Sequence, residues 1–199
     1  MTNKILLAAA AVSALALGGC QNMGLDDGMA NTASAGASST VMVGGAAMYP
    51  TRNIIENAVN SNVHTTLVAA VKAAGLVDTL SGPGPFTVFA PTNSAFDALP
   101  AGTVDTLLMP ANKAKLQKVL TYHVVPGRIT AADIMSKIRA GGGVATYTTV
   151  AGEPLTFRMQ GNAVVATGAG GGTATVTQAD VMQSNGVIHV VNGVVLPGM

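Results

Sequence analysis

The apolar positions change rhythm three times along the chain. From Ile5 to Leu17 they form an almost unbroken Ala/Leu/Val run, interrupted only by Ser13. Residues 21–48 then show no sustained period. Patterned sequence begins near Tyr49, and its first half is helical. Residues 53–59 fit a short helix, and residues 65–76 place Leu67, Val68, Val71 and Ala74 on one face, with Gly75 near the C-terminal end. Residues 86–90 are β-rich between Pro85 and Pro91. Asn93 is placed to cap a short helix carrying Phe96 and Leu99, and residues 103–109 fit a turn or two of helix. Asn112 is placed to cap a stronger helix, in which Leu116, Val119, Leu120 and His123 recur at i, i+3, i+4 and i+7. Thr130 and Asp133 have capping-box spacing, with Asp in place of the usual Glu or Gln.

The second half switches to period two. Leu155, Phe157 and Met159 point one way, and Thr156, Arg158 and Gln160 the other. Gly161-Asn162 turns the chain into residues 163–167, and the glycine-rich 168–172 turns it again into residues 173–177. Residues 186–196 are nearly all aliphatic, which predicts a strand covered on both faces. Helices first and hairpins later predict an α+β domain.

The unpatterned start changes the picture of where the chain works. Lys4 followed by a 13-residue apolar run has the form of an export signal, too short to span about 30 Å of hydrocarbon as a helix. Leu17-Gly18-Gly19-Cys20 resembles the bacterial lipobox, in which the cysteine is acylated and becomes the mature N-terminus. Gln21 rather than Asp in the next position favours sorting to the outer membrane. The expected organisation is a signal peptide at 1–19, a lipidated N-terminus and flexible linker at 20–48, and one domain at 49–199. As a Gly-rich coil the 28 residues of 21–48 would reach about 30 Å.

Composition narrows the function classes. Charged residues make up 10% of the 199, against about 25% in a typical domain. Ten basic residues less Lys4 leave nine against nine acidic ones, a balance that argues against nucleic-acid binding. The single cysteine excludes an intrachain disulfide and any cysteine-cluster metal site.

Three separated segments carry a family resemblance. Phe86-Thr87-Val88-Phe89-Ala90-Pro91-Thr92-Asn93-Ser94-Ala95-Phe96, then Tyr122-His123-Val124-Val125, then the stretch from Ala179 to Val191 resemble, in order and spacing, the conserved blocks of the fasciclin (FAS1) domain. The resemblance implies a single α+β FAS1-like domain, a twisted β-sheet unit packed with a helical half. It also implies adhesion or protein binding rather than catalysis. Asn93, Tyr122, His123 and His189 are the family-motif residues, read here as structural. Asp180, Val181 and Met182 stand where some animal members carry an integrin motif and form the candidate binding segment. By turn chemistry Val190-Val191-Asn192-Gly193-Val194-Val195 is a hairpin; by resemblance it is one continuous strand, the reading preferred here.

Little else in the sequence favours chemistry. His64, His123 and His189 lie 59 and 66 residues apart and show no ligand spacing. No G-x-S-x-G is present, and the 168–172 glycines lack a GK[ST] ending, so they read as hairpin glycines. The expected protein is a lipid-anchored envelope module, adhesive or protein-binding, needing neither metal nor cofactor. Its expected partner is an envelope or extracellular protein, with membrane contact through the anchor only and no nucleic acid. The alternative is a carrier of an apolar small ligand such as a carotenoid.

Overall fold

The computed structural model describes residues 40–198, so the export signal and Cys20 lie outside the described residues. The described chain opens on a hairpin of β1 (Val41–Val43) and β2 (Ala46–Met48). Gly44 and Gly45 join them with φ of 57° and 80°, the paired positive values that a two-residue hairpin turn needs. Val43 and Met48 are buried in the core. This corrects the linker boundary at 48. The glycines there are turn residues, and strands of three residues are too short for alternation to register.

The helical half follows. α1 (Ile54–Asn60) starts at a capping box in which Asn53 and Glu56 satisfy each other's backbone N–H. α2 (Thr65–Ala74) ends on Gly75 at φ 73°, a left-handed cap. After α3 (Val77–Ser81) come β3 (Phe86–Pro91), α4 (Asn93–Asp97), α5 (Thr103–Leu108) and a 3-10 turn, Pro110–Asn112. α6 (Lys113–Tyr122) leads into β4 (Val124–Pro126), and α7 (Ala131–Ala140) begins with the predicted Thr130/Asp133 capping box. The chain then forms β5 (Val144–Thr148), β6 (Pro154–Gln160), β7 (Ala163–Thr167), β8 (Thr173–Gln183) and β9 (Gly186–Val191).

Seven strands make one sheet in the order β4-β3-β9-β8-β7-β6-β5, antiparallel except for the parallel pair β3–β9. The sheet curls: Val150, just past β5, donates its N–H to Val124 O in β4 at 2.8 Å. All six residues of β9 are buried, as its unbroken aliphatic run requires. One face of β3 and β9 (Val88, Ala90, Ile188, Val190) packs on the hairpin and α1, α2, α4 and α6. The other (Phe89, Val191) joins Ile134 and Ile138 of α7 with Phe157 and Ala166 of the outer strands. Phe89 and Phe157 meet at 4.9 Å between centroids, a pair worth about 1 kcal/mol beyond its area burial. The expected α+β fold, a curled sheet packed with helices, is what the chain adopts.

The strand expected over 186–196 ends at Val191, and no hairpin forms at Asn192-Gly193. Instead Asn192 grips β8 with both its backbone N–H and its side-chain oxygen on Thr175, at 3.1 and 2.9 Å. A Cβ on Gly193 would overlap the Thr173 carbonyl, so only glycine lets the chain leave the sheet there.

Candidate functional site

The Tyr-His dipeptide ends α6 at the junction of the two cores. Tyr122 is fully buried; its O–H donates to Pro154 O at 2.7 Å and accepts the Ala169 N–H at 2.8 Å. Burial raises the phenol pKa, the Ala169 amide opposing and the Glu153 carboxylate adding to the rise. His123 bonds Val119 O through Nδ1 at 2.8 Å and takes the Val195 N–H on Nε2 at 3.2 Å. Those partners require a neutral ring with its hydrogen on Nδ1. Complete burial pushes its pKa down to about 4, the Val119 carbonyl pulling the other way.

Tyr122 thus holds the 168–172 loop through Ala169, and His123 holds the segment of residues 193–198 through Val195. That segment lies along the loop, with Gly170 N–H on Leu196 O at 3.0 Å and Leu196 N–H on Gly171 O at 3.3 Å. A Cβ at Gly168 or Gly170 would overlap the Leu196 or Pro197 carbonyl, and one at Gly172 would lie 2.7 Å from Val194 O. The glycines are therefore a cradle, a role that hairpin chemistry alone did not reveal. Lys118 and Glu153, 2.7 Å apart, finish the grip: Glu153 accepts Gly198 N–H at 2.8 Å and Lys118 donates to Gly198 O at 2.9 Å. Nothing local in the sequence marks Lys118 or Glu153, because their target is distant along the chain.

His189 is the second joint. It stacks on Phe89 with 5.3 Å between centroids, donates from Nε2 to Ile129 O at 2.9 Å and takes the Asp180 N–H on Nδ1 at 3.3 Å. Its hydrogen is thus on Nε2, opposite to His123. Burial lowers its pKa, opposed by the Ile129 carbonyl and the Asp180 carboxylate. Asp180 stands at φ 58° in an irregular stretch of β8, and its carboxylate accepts the Ala131 N–H at 2.8 Å. That places a negative charge on the first residue of α7, at the positive end of the helix. Val181 is 1% exposed and faces the core, while Met182 is half-buried. Asp180, Val181 and Met182 therefore do not form one exposed patch.

Asn93 caps a different helix from the one expected. Its Oδ1 accepts Thr66 N–H in α2 at 3.1 Å and its Nδ2 donates to Asn62 O at 3.0 Å, while Thr92 is the N-cap of α4. Asn112 likewise makes no cap bond to α6; it donates to Thr106 O of α5 at 2.7 Å. In each case a neighbouring helix end offers the amide a better-placed partner than its own backbone. His64 is buried with Nδ1 2.8 Å from Ser61 Oγ. Burial lowers its pKa, the Ala90 backbone opposing, and Nε2 has no hydrogen-bond partner among the described residues. A further buried amide pair, Asn57 and Gln183, ties α1 to β8, and Asn57 also holds both backbone groups of Tyr49.

The three histidines sit apart and are not brought together. Among the described residues no three His, Cys, Asp or Glu side chains are grouped to hold a metal ion. Among them, too, no helix is long and apolar enough to cross a membrane. The enclosed space nearest the Tyr-His joint is an almost wholly apolar cleft between α1, α2, α3 and β3, lined by Ile54, Leu67, Val71, Leu80, Val88 and His123, with a cavity of about 30 Å³.

Comparison with known proteins agrees with this architecture. The family described as the Fasciclin domain matches residues 62–197. The chain is 54% identical over 160 residues to Protein sll1483 of Synechocystis sp., covering 80% of this chain and 82% of that one. It is 34% identical over 175 residues to Immunogenic protein MPB70 of Mycobacterium bovis, covering 85% and 80%. In fold it resembles the FAS1 domain pair of the insect cell adhesion molecule Fasciclin I, with a TM-score of 0.65 at 18% identity, over 74% of this chain and 52% of the other. With the matched segment running from the start of the α2 region to the end of the cradle-bound strap, the chain belongs to the fasciclin domain family.

Proposed function

We propose that the chain is a lipid-anchored module of the cell envelope that binds another envelope or extracellular protein, in the adhesive manner of its family. One observation carries the reading. The polar motif residues Tyr122, His123, Asn93 and His189 are each bonded to backbone in a structural joint, so the motifs supply a rigid frame and leave the surface to do the binding. The insect protein of similar fold is described as a cell adhesion molecule, which supports the same class. The leader ending in Leu17-Gly18-Gly19-Cys20 supports export and acylation. Cross-linking on intact cells followed by affinity capture of the anchored protein tests this: one envelope protein enriched at least tenfold over a Cys20→Ser control is expected. Capture of nothing beyond that control overturns it.

The rival, an apolar-ligand carrier, has the cleft beneath α1–α3 in its favour. At about 30 Å³ that cavity falls an order of magnitude below the roughly 300–1,000 Å³ of ordinary ligand pockets, so a carrier needs the three helices to part. A visible absorbance band in protein purified without detergent exchange would establish the rival; a colourless preparation removes the carotenoid form of it.

A further inference from the structure

The hairpin register sorts its side chains onto two faces. Val41 pairs with Met48 and Val43 with Ala46, and this face holds the buried Val43 and Met48. Met42 pairs with Ala47, so Met42, Ala47 and the next outward residue, Tyr49, share the opposite face. Met42 is 58% and Tyr49 42% exposed, the most exposed large apolar side chains of this end of the domain apart from Val59. The Arg52 guanidinium lies 4.7 Å over the Tyr49 ring and enters no salt bridge among the described residues. The nearest acid in sequence, Glu56, is turned away to cap α1, accepting Asn53 N–H at 2.8 Å. The main chain beneath is fixed, with Tyr49 held by Asn57 and Met42 O by Gln178.

We propose that this outward face, Met42–Tyr49–Arg52, is a membrane-contact surface that seats on an anionic phospholipid bilayer. Tyrosine and arginine are the side chains that settle at headgroup depth, with an apolar body inward and a polar tip in water. The occupant follows from where the anchor lies. The inference rests on the anchored reading of Cys20, from which 20 positions lead to Thr40 and the hairpin. With the flexible linker expected from the sequence, that length reaches about 25 Å, which would keep this end of the domain nearest the bilayer. Tethering also makes the contact intramolecular, at an effective concentration in the millimolar range, so a patch of three side chains is sufficient.

The test uses a built-in reference. Met109, between α5 and the 3-10 turn, is 52% exposed, close to the 58% of Met42, and Met159 of β6 is 37% exposed. Protein extracted from membranes is reconstituted into phosphatidylethanolamine–phosphatidylglycerol vesicles and oxidised with dilute peroxide. Sulfoxide formation at each methionine is then followed by peptide mass. Met42 is expected to oxidise at least threefold more slowly than Met109 on these vesicles, and at a rate similar to Met109 on phosphatidylcholine vesicles. The double variant Tyr49→Ser/Arg52→Gln is expected to return Met42 to the Met109 rate. Equal rates for wild type on the anionic vesicles, or protection of Met109 or Met159 instead, overturn the face. Intact mass of the same sample reads acylation separately: absent acyl mass overturns the anchored reading and this inference together, whereas acylated protein with unprotected Met42 overturns this inference alone.

Discussion

Acid should weaken this fold through one identifiable proton site, His123. In the native state its ring must stay neutral, because Nε2 accepts the Val195 N–H and complete burial holds the pKa at about 4. In the unfolded chain the same ring titrates near 6.5. A depressed histidine pKa means that the unfolded state takes the proton first as pH falls. Stability is therefore lost between about pH 6.5 and 4 and changes little below that through this group. At pH 5 the unfolded ring has gained about 1.5 pH units of protonation free energy while the folded ring has gained almost none, which comes to about 2 kcal/mol. With a urea dependence of about 2 kcal/mol per molar, the midpoint should fall by about 1 M between pH 7.5 and pH 5. His64 and His189 are shifted in the same direction and add to the loss. The carboxylates of Asp133 and Glu153 are held low by their hydrogen bonds, so their own losses begin only at about pH 5 and run below it. The assay is urea unfolding of wild type and His123→Gln at both pH values. The variant should be less stable at pH 7.5 yet lose about 2 kcal/mol less on acidification. An equal loss in both proteins would refute the assignment of the proton to His123.

Other perturbations probe the joints one at a time. Tyr122→Phe removes one O–H that serves both Pro154 O and Ala169 N–H, and should cost about 2–4 kcal/mol, read as a lower urea midpoint with an unchanged slope. Gly170→Ala drives a Cβ into the Pro197 carbonyl and should lower Tm by several degrees; Gly161→Asn, at φ 62° with open space around it, should melt close to wild type. Asp180→Ala loses the bond to Ala131 N–H and strains a left-handed residue, so about 1–2 kcal/mol is expected, whereas Asp180→Asn keeps both features and should lose much less. A melting temperature unchanged in Asp180→Ala, together with lost partner binding, would move Asp180 from the frame to the interface.

What the sequence made legible is what depends on near neighbours. The α2 and α6 stripes, the Thr130/Asp133 box, the period-two run from Leu155 and the buried final strand all express side chains three or four positions apart, or two. What escaped depends on distant partners. Asn93 and Asn112 have the chemistry of caps, and the sequence cannot say that the helix end they serve is another one. β4 and β5, with three and five residues, form against strands or helices that hold them rather than from a pattern of their own. The 168–172 glycines were readable as a turn, but their close approach to residues 194–197 exists only once the fold brings the two segments together. For the candidate site, nothing near Asp180 in the sequence shows that its carboxylate reaches the start of α7, 49 positions away.

The one parallel pair among the described strands, β3–β9, sets an order of events. β3 must wait for β9, and their paired residues, from Phe86↔Gly186 to Pro91↔Val191, are 100 positions apart. Closing a loop of that length costs entropy before any contact of this pair is made, which favours slow, late assembly. Until residues 186–191 are present, both cores lack the β9 half of their shared wall. A chain leaving the ribosome therefore has no stable domain to form until Val191 has emerged, and a fragment cut short of Val191 should remain unfolded and open to proteases.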